Sequence, residues 1–415
     1  MKTVIVPDLQ WYGDEPLTLE FPDMWDVKRC TMACEAEDGM TEEGIRKALD
    51  SPLGTEPLGK FAEKAEEVVI IIDDMTRPTR SHLFVDPILE TLHGAGVPVE
   101  NIRFIMAAGC HGTYGRMDFV KKLGEDVVAE YPCYNHNPYD MLDHLGETSH
   151  GTPVYVNSEV MSCDLKIGVG TVLFHRYMGF SGGGKMILPG VAGFETIYHN
   201  HGPLGGFGPG FTPHPSTGTC VNEGNIMRLD AEEAARMAGL DFKVDSVLNL
   251  RRDPIELYAG DFVMTQRRAA ESVHKWHGYE APGGADIVVA NNYMRANEAH
   301  IGMGPAYVSV GEEGTIVLLA NDMDGEINHW LLNRHGKKVG ARLWRSTRRP
   351  LQRGKRVIIH SPYKMRSYDM KIGLPEQITW IREWDEVIEV LKSEHGRGSK
   401  VVVLPDGTSG IPLQG

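Results

Sequence analysis

An alternation of short apolar runs with helical segments constrains the fold of this chain most. The run EEVVIIIDD, from Glu66 to Asp74, is apolar throughout its centre and predicts a buried strand. The segment from Ser81 to Gly96 predicts the helix that follows, and the segment from Asn101 to Gly109 predicts the next strand. Strands that are apolar on both faces and joined by helices form parallel sheets covered on both sides, so this order predicts an α/β fold.

The same alternation continues along the chain and is interrupted by the turn signal PGG at Pro282 to Gly284. Before this turn the sequence predicts a further strand at 165–174 and helices at 114–124, 222–239 and 263–278. After the turn it predicts strands at 285–292, 314–322, 355–361 and 400–407, and a helix at 376–396. We therefore predict two α/β domains with mostly parallel sheets flanked by helices, residues 1–270 and 271–415, with an active site in the cleft between them.

The composition is that of a globular protein and narrows the class of ligand. The 415 residues carry a formal net charge of -15, which argues against nucleic acid or an anionic membrane surface as the main partner, because both require a basic face. A small anion remains compatible, since one or two local cations suffice to bind it. The six cysteines form no CxxC pair, and the chain shows neither a signal-peptide pattern nor a long apolar run. We therefore expect a soluble, cytoplasmic protein.

A first polar motif, DDMTRPTR at Asp73 to Arg80, directly follows a predicted strand. Carboxylate, hydroxyl and guanidinium groups thus meet at the carboxyl end of a buried strand, where parallel sheets bind ligands. Arg77 has the geometry to bind a carboxylate or phosphate through two hydrogen bonds. The alternative is an aspartate that caps the next helix and an arginine that pairs with it at the surface.

A second motif, AAGCHGT, places His111 between Gly109 and Gly112, just after the next predicted strand. Small neighbours allow the imidazole to reach a ligand at the strand end. Histidine also titrates near neutral pH, as a general base must. The alternative is a polar histidine on a surface loop.

The third motif, HRYMGFSGGGKMILPG from His175 to Gly190, contains a lysine behind three glycines. Its residues from Gly179 to Lys185 satisfy the G-x-x-x-x-G-K part of a nucleotide-binding P-loop. However, Met186 stands where a P-loop requires Ser or Thr for magnesium, and Pro189 interrupts the helix that should follow. A nucleotide-dependent phosphotransferase is therefore the less favoured hypothesis, although a glycine run still lets backbone N–H groups approach an anion.

Three histidines, His175, His199 and His201, lie in or just after this motif. A structural zinc site would need four Cys or His ligands, and no companion cluster stands at a suitable spacing. One histidine can still complete the coordination of a metal whose other ligands come from a bound group. The alternative is a hydrogen-bonded loop without a metal.

Together, these motifs resemble the lactate racemase family, also called LarA-like. The order is D-x-T-R, then G-x-H, then a histidine ten residues before the lysine of a glycine-rich LPG segment, then a histidine sixteen residues after that lysine. The resemblance is firm over residues 60–205 and looser over the remainder. Its specificity lies in the spacing of His175, Lys185 and His201.

The resemblance implies a nickel-pincer nucleotide, a pyridinium-3,5-bisthiocarboxylic acid mononucleotide with nickel, attached covalently to Lys185. By position, His201 is similar to the protein ligand of nickel, and His111 and His175 are similar to the two catalytic bases. The residues implied to line the cofactor are Asp74, Thr76, Arg77, Gly182, Gly183 and Gly184.

The implied activity is racemisation or epimerisation of a 2-hydroxy carboxylic acid. The hydrogen on C2 of such an acid is a poor proton donor. Its removal as hydride, while a base takes the hydroxyl proton, gives a planar 2-keto acid, and return to the other face inverts the centre. The resemblance also implies cofactor-maturation proteins as partners. No nucleic acid or membrane partner is expected, and a homo-oligomer is compatible with the sequence.

The C-terminal part of the chain departs from the family. Lactate-specific members carry a Gln and a Lys there that hold the substrate, and neither has a clear equivalent after the strand at 285–292. Arg295, His300 and Lys364 are candidates for substrate binding together with Arg77, and Arg366 is a further cation nearby. The alternative is surface charge around a loop. The departure argues for a 2-hydroxy acid other than lactate, and a non-catalytic homologue that binds a small acid or the cofactor is the main alternative function.

Overall fold

The computed structural model describes residues 1–332, 342–343, 349–365 and 371–413. Its strands are β1 Lys2–Pro7, β2 Pro16–Phe21, β3 Asp26–Arg29, β4 Val68–Asp73, β5 Ile102–Ala107, β6 Cys133–Asn135, β7 Leu142–Glu147, β8 Pro153–Asn157, β9 Leu165–Thr171, β10 Phe174–His175, β11 Met178–Phe180, β12 Gly218–Thr219, β13 Phe242–Leu248, β14 Pro254–Gly260, β15 Gly278–Glu280, β16 Ala285–Asn291, β17 Val310–Leu319, β18 Arg356–His360, β19 Ile378–Ile381, β20 Lys400–Leu404 and β21 Ile411–Leu413.

The α-helices are Glu42–Leu49, Leu58–Ala62, His82–Gly94, Arg116–Leu123, Glu125–Glu130, Ser158–Met161, Phe194–His199, Ile226–Ala238, Phe262–His277, Met303–Ser309 and Trp384–Glu394. Short 3-10 helices occupy Ala33–Ala36, Val99–Asn101, Gly183–Met186, Ala296–Gly302 and Pro375–Gln377, and a π-helix occupies Asn200–Leu204. Within the described part of the chain, none of these helices is long and apolar enough to cross a membrane.

The chain forms two compact units. The central unit contains residues 38–273 and 328–345, and the split unit contains residues 1–37, 274–327 and 346–415. A single boundary near residue 270 does not describe this division. The reason is that β3 pairs in parallel with β20, which joins the first 37 residues to the C-terminal segments.

The central unit is built on a six-stranded sheet in the order β14-β13-β9-β4-β5-β6. All neighbouring strands in it are parallel except β13 and β14, which are antiparallel. Every residue of β4 is buried. Ile70 and Ile72 pack into one hydrophobic cluster, whereas Val69 and Ile71 pack into another on the opposite face. This two-sided burial explains why β4 is apolar throughout and confirms the predicted α/β class.

The split unit contains a second six-stranded sheet, in the order β19-β18-β17-β16-β20-β3, in which all neighbours are parallel. The predicted helix at 376–396 is wrong in its first part. Residues Ile378–Ile381 form β19, which pairs with β18, and the helix covers only Trp384–Glu394. The run ITWI is β-branched and aromatic, so it extends the edge of a sheet better than it forms a helical turn.

Candidate active site

Three neighbouring strands of the central sheet bring the predicted polar residues to one edge. Asp73 and Asp74 stand at the carboxyl end of β4, His111 follows β5, and His175 follows β9. Because β5, β4 and β9 are parallel neighbours, their carboxyl ends lie side by side. This edge is where open parallel sheets bind their ligands.

A buried ion pair fixes the loop after β4. The Lys122 ammonium, which is 0% exposed, donates to Asp73 Oδ1 at 2.8 Å and to the Arg77 carbonyl at 2.8 Å. Asp73 also accepts from the Thr79 hydroxyl at 2.6 Å and from the Thr171 N–H at 3.0 Å. Burial lowers the pKa of Lys122, and the Asp73 carboxylate opposes that effect. The pair therefore ties the loop that contains Arg77 to both β9 and the helix Arg116–Leu123.

Asp74 and His111 form a close polar contact at this edge. Asp74 Oδ2 lies 2.5 Å from His111 Nδ1 and also accepts from the Tyr114 hydroxyl at 2.9 Å. Asp74 Oδ1 accepts from the Thr76 N–H at 3.0 Å. Burial by itself would raise the pKa of Asp74, but the charge and hydrogen bond of His111, with the charge of Arg77, outweigh it and lower the pKa. Asp74 is thus an anion that orients His111.

Arg77 is half-buried and turned along its own loop. Its Nη1 donates to the Thr76 carbonyl at 2.8 Å and to the Thr76 hydroxyl at 2.9 Å. The Thr76 hydroxyl in turn donates to Asp74. The D-x-T-R residues therefore act as one hydrogen-bonded group, in which the guanidinium charge lies close to the carboxylate.

The glycines before Lys185 are required by close packing. Gly182 has φ of 80°, and a Cβ atom there would lie 2.5 Å from Val172 Cγ2. The Gly183 N–H donates to Asp245 at 3.1 Å, and Asp245 pairs with the fully buried Lys243 at 2.7 Å. That N–H group is thus engaged by a protein carboxylate. The turn places half-buried Lys185 with its Nζ 3.0 Å from the sulfur of Met178.

The segment after Lys185 differs from a P-loop. A P-loop lysine begins a long helix, whereas here Gly183–Met186 is a single 3-10 turn. The next α-helix, Phe194–His199, begins nine residues after the lysine. The magnesium-nucleotide alternative therefore lacks the helix N-terminus that it requires.

His175 lies at the end of β10 and faces the backbone of its own hairpin. Its Nδ1 accepts from the Tyr177 N–H at 3.3 Å and from the Met178 N–H at 3.1 Å. The carbonyl of Met178 is held from the other side by Arg228, whose side chain is 1% exposed, through two contacts of 3.1 Å. This hairpin connects His175 directly to the residue that contacts Lys185.

His201 lies in the π-helix, a distortion often found at functional sites. Its Nδ1 lies 3.0 Å from the Ile197 carbonyl, so Nδ1 carries the proton and Nε2 keeps its lone pair. Burial lowers the pKa of His201 to about 3, and the charges of Lys185 and His111 add to that effect. His201 is therefore a neutral imidazole of the kind that ligates metals, with a second partner that fixes its ring.

Contacts between segments bring these residues into one region of the central unit. The Gly109 N–H, two residues before His111, donates to the Gly190 carbonyl at 2.9 Å, within the segment of the third motif. The rings of Tyr177 and Phe207 are in contact, and Phe207 lies 6.5 Å from His201 between ring centroids. His199 instead contacts the Thr152 hydroxyl at 2.8 Å through Nδ1.

No three His, Cys, Asp or Glu side chains gather at metal-binding distance within the described ranges, which end at residue 413 with gaps after 332, 343 and 365. Any metal bound by these residues would therefore need most of its ligands from another group. His201, with one nitrogen committed to a carbonyl, suits that arrangement.

Sequence reasoning missed several residues that support the site. Tyr114 binds Asp74, and Trp330 covers the His111 turn by donating to its carbonyl from Nε1 at 3.0 Å. The ring of His329 lies 4.9 Å from that of His111 in an edge-on arrangement. Tyr114 stands three residues after the G-x-H motif, so its position near the site could have been predicted from the sequence. His329 and Trp330 lie more than 200 residues after His111, and nothing in their local sequence indicates that they pack against it.

The predicted substrate-binding residues of the C-terminal part lie in the split unit. Arg295 is buried, and its N–H donates to the Thr408 hydroxyl at 3.0 Å. His300 is half-buried in the 3-10 helix Ala296–Gly302. Lys364 is exposed, with its ammonium 5.9 Å from the centroid of the Trp380 ring. Arg366 lies outside the described residues.

Comparison with known proteins finds similarity to lactate racemases. Residues 12–205 match the family described as the lactate racemase N-terminal domain. The chain is 28% identical to a lactate racemase of Lactiplantibacillus plantarum over 392 residues, which cover 88% of this chain and 89% of that protein. It is 24% identical to a lactate racemase of Thermoanaerobacterium thermosaccharolyticum over 432 residues, with coverage of 96% and 97%.

Solved structures support the fold. The lactate racemase apoprotein from Thermoanaerobacterium thermosaccharolyticum superposes with a TM-score of 0.75 at 24% identity, and the match covers 100% of both chains. A protein from Thermotoga maritima superposes with a TM-score of 0.62 at 18% identity, covering 90% of this chain and 98% of that one. At these identities the likeness shows that the architecture is shared.

Proposed function

The chain belongs to the lactate racemase family and is therefore an isomerase, and from this premise we propose that it racemises or epimerises a 2-hydroxy carboxylic acid with a nickel-pincer nucleotide. The reaction proceeds by hydride transfer through a 2-keto acid. The observation that carries the proposal is the contact between Asp74 and His111, because it provides an oriented base whose charge, together with that of Lys185, acts on the imidazole of His201.

Two residues of the central unit suit the cofactor. Lys185 offers an amine on a glycine turn held by Asp245, and we assign it as the covalent attachment point. His201 offers a neutral imidazole with its Nδ1 committed to a carbonyl, and we assign it as the nickel ligand. When bound, the nucleotide supplies the acceptor and donor for the C2 hydride. Soft sulfur donors with one imidazole are reasonable ligands for nickel.

The residues of the sheet edge act on the substrate. Removal of hydride from C2 requires that the hydroxyl proton leave for a base, and we assign His111 as that base. The Asp74 carboxylate then stabilises the imidazolium that forms. We assign His175 as the second base, because each enantiomer presents its hydroxyl to a different side. Arg77, half-buried next to Asp74, supplies the cation that the substrate carboxylate needs.

The identity of the substrate side chain is a separate proposal. Lactate is the compound in the names of the curated relatives. This chain lacks a clear equivalent of the Gln and Lys expected for lactate, so a bulkier or more polar 2-hydroxy acid is our first choice. Arg295, His300 and Lys364 are the proposed determinants in the split unit.

Intact-mass measurement after co-expression with cofactor-maturation enzymes tests the attachment. We expect added mass on the wild type and on Lys60→Ala, which changes an exposed lysine paired with Glu63, and no added mass on Lys185→Ala. An unmodified wild type, or equal added mass on Lys185→Ala, would contradict the assignment.

A panel of 2-hydroxy acids incubated in deuterated water with the matured protein tests the reaction. We expect inversion at C2 with retention of the original hydrogen, because the hydrogen moves as hydride and does not mix with solvent. Inversion with deuterium at C2 would contradict hydride transfer. Binding of an acid without inversion would indicate a non-catalytic homologue.

A further inference from the structure

A fully buried carboxylate with no part in the proposed reaction lies beside the π-helix. Asp230 belongs to the helix Ile226–Ala238 and is 0% exposed. Met227 and Ala234, which stand at i−3 and i+4 from it on the same helix face, both pack into the hydrophobic core. A carboxylate in such an apolar face destabilises the fold unless hydrogen bonds replace its contacts with water. The partners of Asp230 therefore indicate its role.

Among the described residues, these partners are three neutral side chains from two other segments. Oδ1 of Asp230 accepts from the Thr148 hydroxyl at 2.6 Å. Oδ2 accepts from the Thr152 hydroxyl at 2.9 Å and from Asn200 Nδ2 at 2.8 Å. Both oxygens of a carboxylate accept hydrogen bonds, so one side chain joins the turn between β7 and β8 to the π-helix.

Asn200 is the first residue of the π-helix and directly precedes His201. Its Nδ2 donates to the Met227 carbonyl at 3.1 Å as well as to Asp230. Asn200 is 0% exposed, so water does not compete for either contact. Two hydrogen bonds thus tie the start of the π-helix to the helix that contains Asp230.

The residue before Asn200 reaches the same carboxylate through a hydroxyl. The Nδ1 of His199 lies 2.8 Å from Thr152 Oγ1, and the Thr152 hydroxyl donates to Asp230. Both residues that precede His201 are therefore connected to Asp230, one directly and one through Thr152.

The π-helix depends on such contacts because its backbone ladder is irregular. Pro203 lies inside it and has no N–H group to donate. The Gly205 N–H donates to the Asn200 carbonyl, five residues back, at 2.9 Å. The Phe207 N–H donates to the His201 carbonyl at 3.0 Å. A wide turn of this kind is rare in proteins, and side chains that hold its first residue help to define its geometry.

Resting on the function proposed above, we propose that Asp230 is a positioning residue for His201, the assigned nickel ligand. Its carboxylate holds Asn200 against the helix Ile226–Ala238 and so fixes the backbone from which the imidazole projects. The Ile197 carbonyl, at 3.0 Å from Nδ1, fixes the rotation of the ring. Asp230 sets the place of the ligand, and Ile197 sets its orientation.

Hydrogen exchange of the unmodified protein, followed by mass spectrometry, tests the anchor without the cofactor. In Asp230→Ala, the amides of Gly205 and Phe207 should exchange about tenfold faster than in the wild type, the scale of one lost hydrogen bond. Peptides from β4 should exchange at the wild-type rate. If Asp230→Ala does not fold, Asn200→Ala serves instead, because it removes the donor of the same contact.

Thr148→Val is the matched control for this experiment. It removes a donor to the same carboxylate but leaves the contact between Asp230 and Asn200 in place. Exchange in the π-helix should therefore stay near the wild-type rate. Wild-type exchange in Asp230→Ala, or equally fast exchange in Thr148→Val, would overturn the proposal.

Nickel retention in the matured protein tests the effect on the ligand. The mass added at Lys185 should be the same in the wild type and Asp230→Ala, because attachment of the amine does not involve His201. Nickel should be lost to EDTA about tenfold faster from Asp230→Ala, the low end of the range for groups that orient a metal ligand. Thr148→Val should retain nickel like the wild type. Equal retention in Asp230→Ala and the wild type would also overturn the proposal.

The two proposals fail in different ways. If the matured wild type inverts no 2-hydroxy acid, the proposed function fails, and hydrogen exchange still decides whether Asp230 holds the π-helix. If the wild type is active but Asp230→Ala matches it in exchange and in nickel retention, the proposed function stands and Asp230 is not a positioning residue.

Discussion

Asp74 of the central unit and Asp406 of the split unit are both buried aspartates that follow a parallel strand, yet their environments differ in kind. Asp74 contacts His111 and lies near the charge of Arg77, and its pKa is lowered. Asp406 accepts from the N–H groups of Met294 at 2.6 Å and Thr408 at 2.6 Å, and burial raises its pKa.

This difference indicates that Asp74 serves the reaction, whereas Asp406 stabilises the fold. A carboxylate paired with an imidazole can stabilise a charge that appears during a reaction. A carboxylate surrounded by backbone N–H groups instead fixes a turn, because its lone pairs are consumed by fixed neighbours. We therefore expect the edge of the central sheet to control turnover and the edge after β20 to control stability.

Asn substitution of the two aspartates gives the largest expected effect. In Asp74→Asn the amide N–H would face Nδ1 and favour the wrong tautomer of His111, so kcat should fall by about 10³ to 10⁴-fold, the scale of the same change in an Asp-His-Ser triad. Asp406→Asn should lower the melting temperature and leave kcat of the folded enzyme nearly unchanged. Racemisation rates and thermal unfolding of both variants measure this. Equal losses of kcat in Asp74→Asn and Asp406→Asn would contradict the different roles of the two aspartates.

Removal of a buried ammonium should mainly affect stability. Lys122→Met leaves Asp73, whose side chain is only 12% exposed, without the ammonium that neutralises it, so the free energy of unfolding should fall by about 3–5 kcal/mol. Lys392→Met in the split unit should cost much less, because its partner Glu389 is 72% exposed and its carboxylate stays in contact with water. Urea unfolding monitored by circular dichroism measures both.

A double variant sharpens this prediction. Asp73→Asn combined with Lys122→Met removes the unpaired charge and should recover part of the lost stability. No recovery would mean that Lys122 acts through its packing rather than through its charge.

The loss of stability at acidic pH should depend on His136 in the central unit. Its Nε2 donates to the Ala192 carbonyl at 2.9 Å, and burial lowers its pKa from 6.5 to about 4. The unfolded chain therefore binds this proton near pH 6.5, while the folded chain resists it until about pH 4. Above pH 6.5 the buried neutral ring of His136 does not lower stability. As the pH falls from 6.5 toward the folded-state pKa of about 4, the free energy of unfolding decreases. Between pH 7 and pH 5 this loss is about 2 kcal/mol.

Urea titrations at several pH values measure this contribution. His136→Gln should unfold with a shallower pH dependence than the wild type between pH 7 and pH 5. His360→Gln in the split unit is the matched comparison. Burial also lowers the pKa of His360, but the Ile381 carbonyl and the charge of Glu383 oppose it. A larger change in pH dependence for His360→Gln would reverse the expected order.

The smallest expected effect concerns Tyr114. Tyr114→Phe removes the hydroxyl that donates to Asp74 Oδ2 at 2.9 Å and should cost about 1 kcal/mol of transition-state stabilisation, or about fivefold in kcat. Tyr258→Phe is the matched control, because its hydroxyl donates to Glu256 at 2.7 Å outside the site. Steady-state measurement of kcat for both variants tests this prediction. Equal values would mean that the Tyr114 hydroxyl does not support catalysis through Asp74.

The sequence predicted the repeating strands and helices because buried parallel strands leave continuous apolar runs. It predicted Asp74, His111, Lys185 and His201 as a set because their spacing is distinctive, and the structure brings them to one unit. The division of the chain escaped prediction, since the pairing of β3 with β20 has no local signal. The sequence predicts a helix over Ile378–Ile381, where the structure has a strand, because a short apolar run next to an amphipathic segment is ambiguous.

The hydrogen-bond partners of the two histidine rings could not be predicted from the sequence. A motif names a residue and not the partner of each ring nitrogen. The partner of His111 comes from a different strand, and the partners of His175 are backbone groups. Neither can be read from residue type alone.

The pairing of β3 with β20 has a consequence for synthesis on the ribosome. Roughly 370 residues separate the two strands, so at about 5–20 residues per second β3 waits between about 20 and 75 seconds for its partner. During that time its backbone N–H and C=O groups lack their β20 partner and are open to pairing with other nascent chains. Its sequence, DVKR, carries charge and is only partly buried in the finished sheet. These charged side chains disfavour pairing of β3 with other chains until β20 has been synthesised.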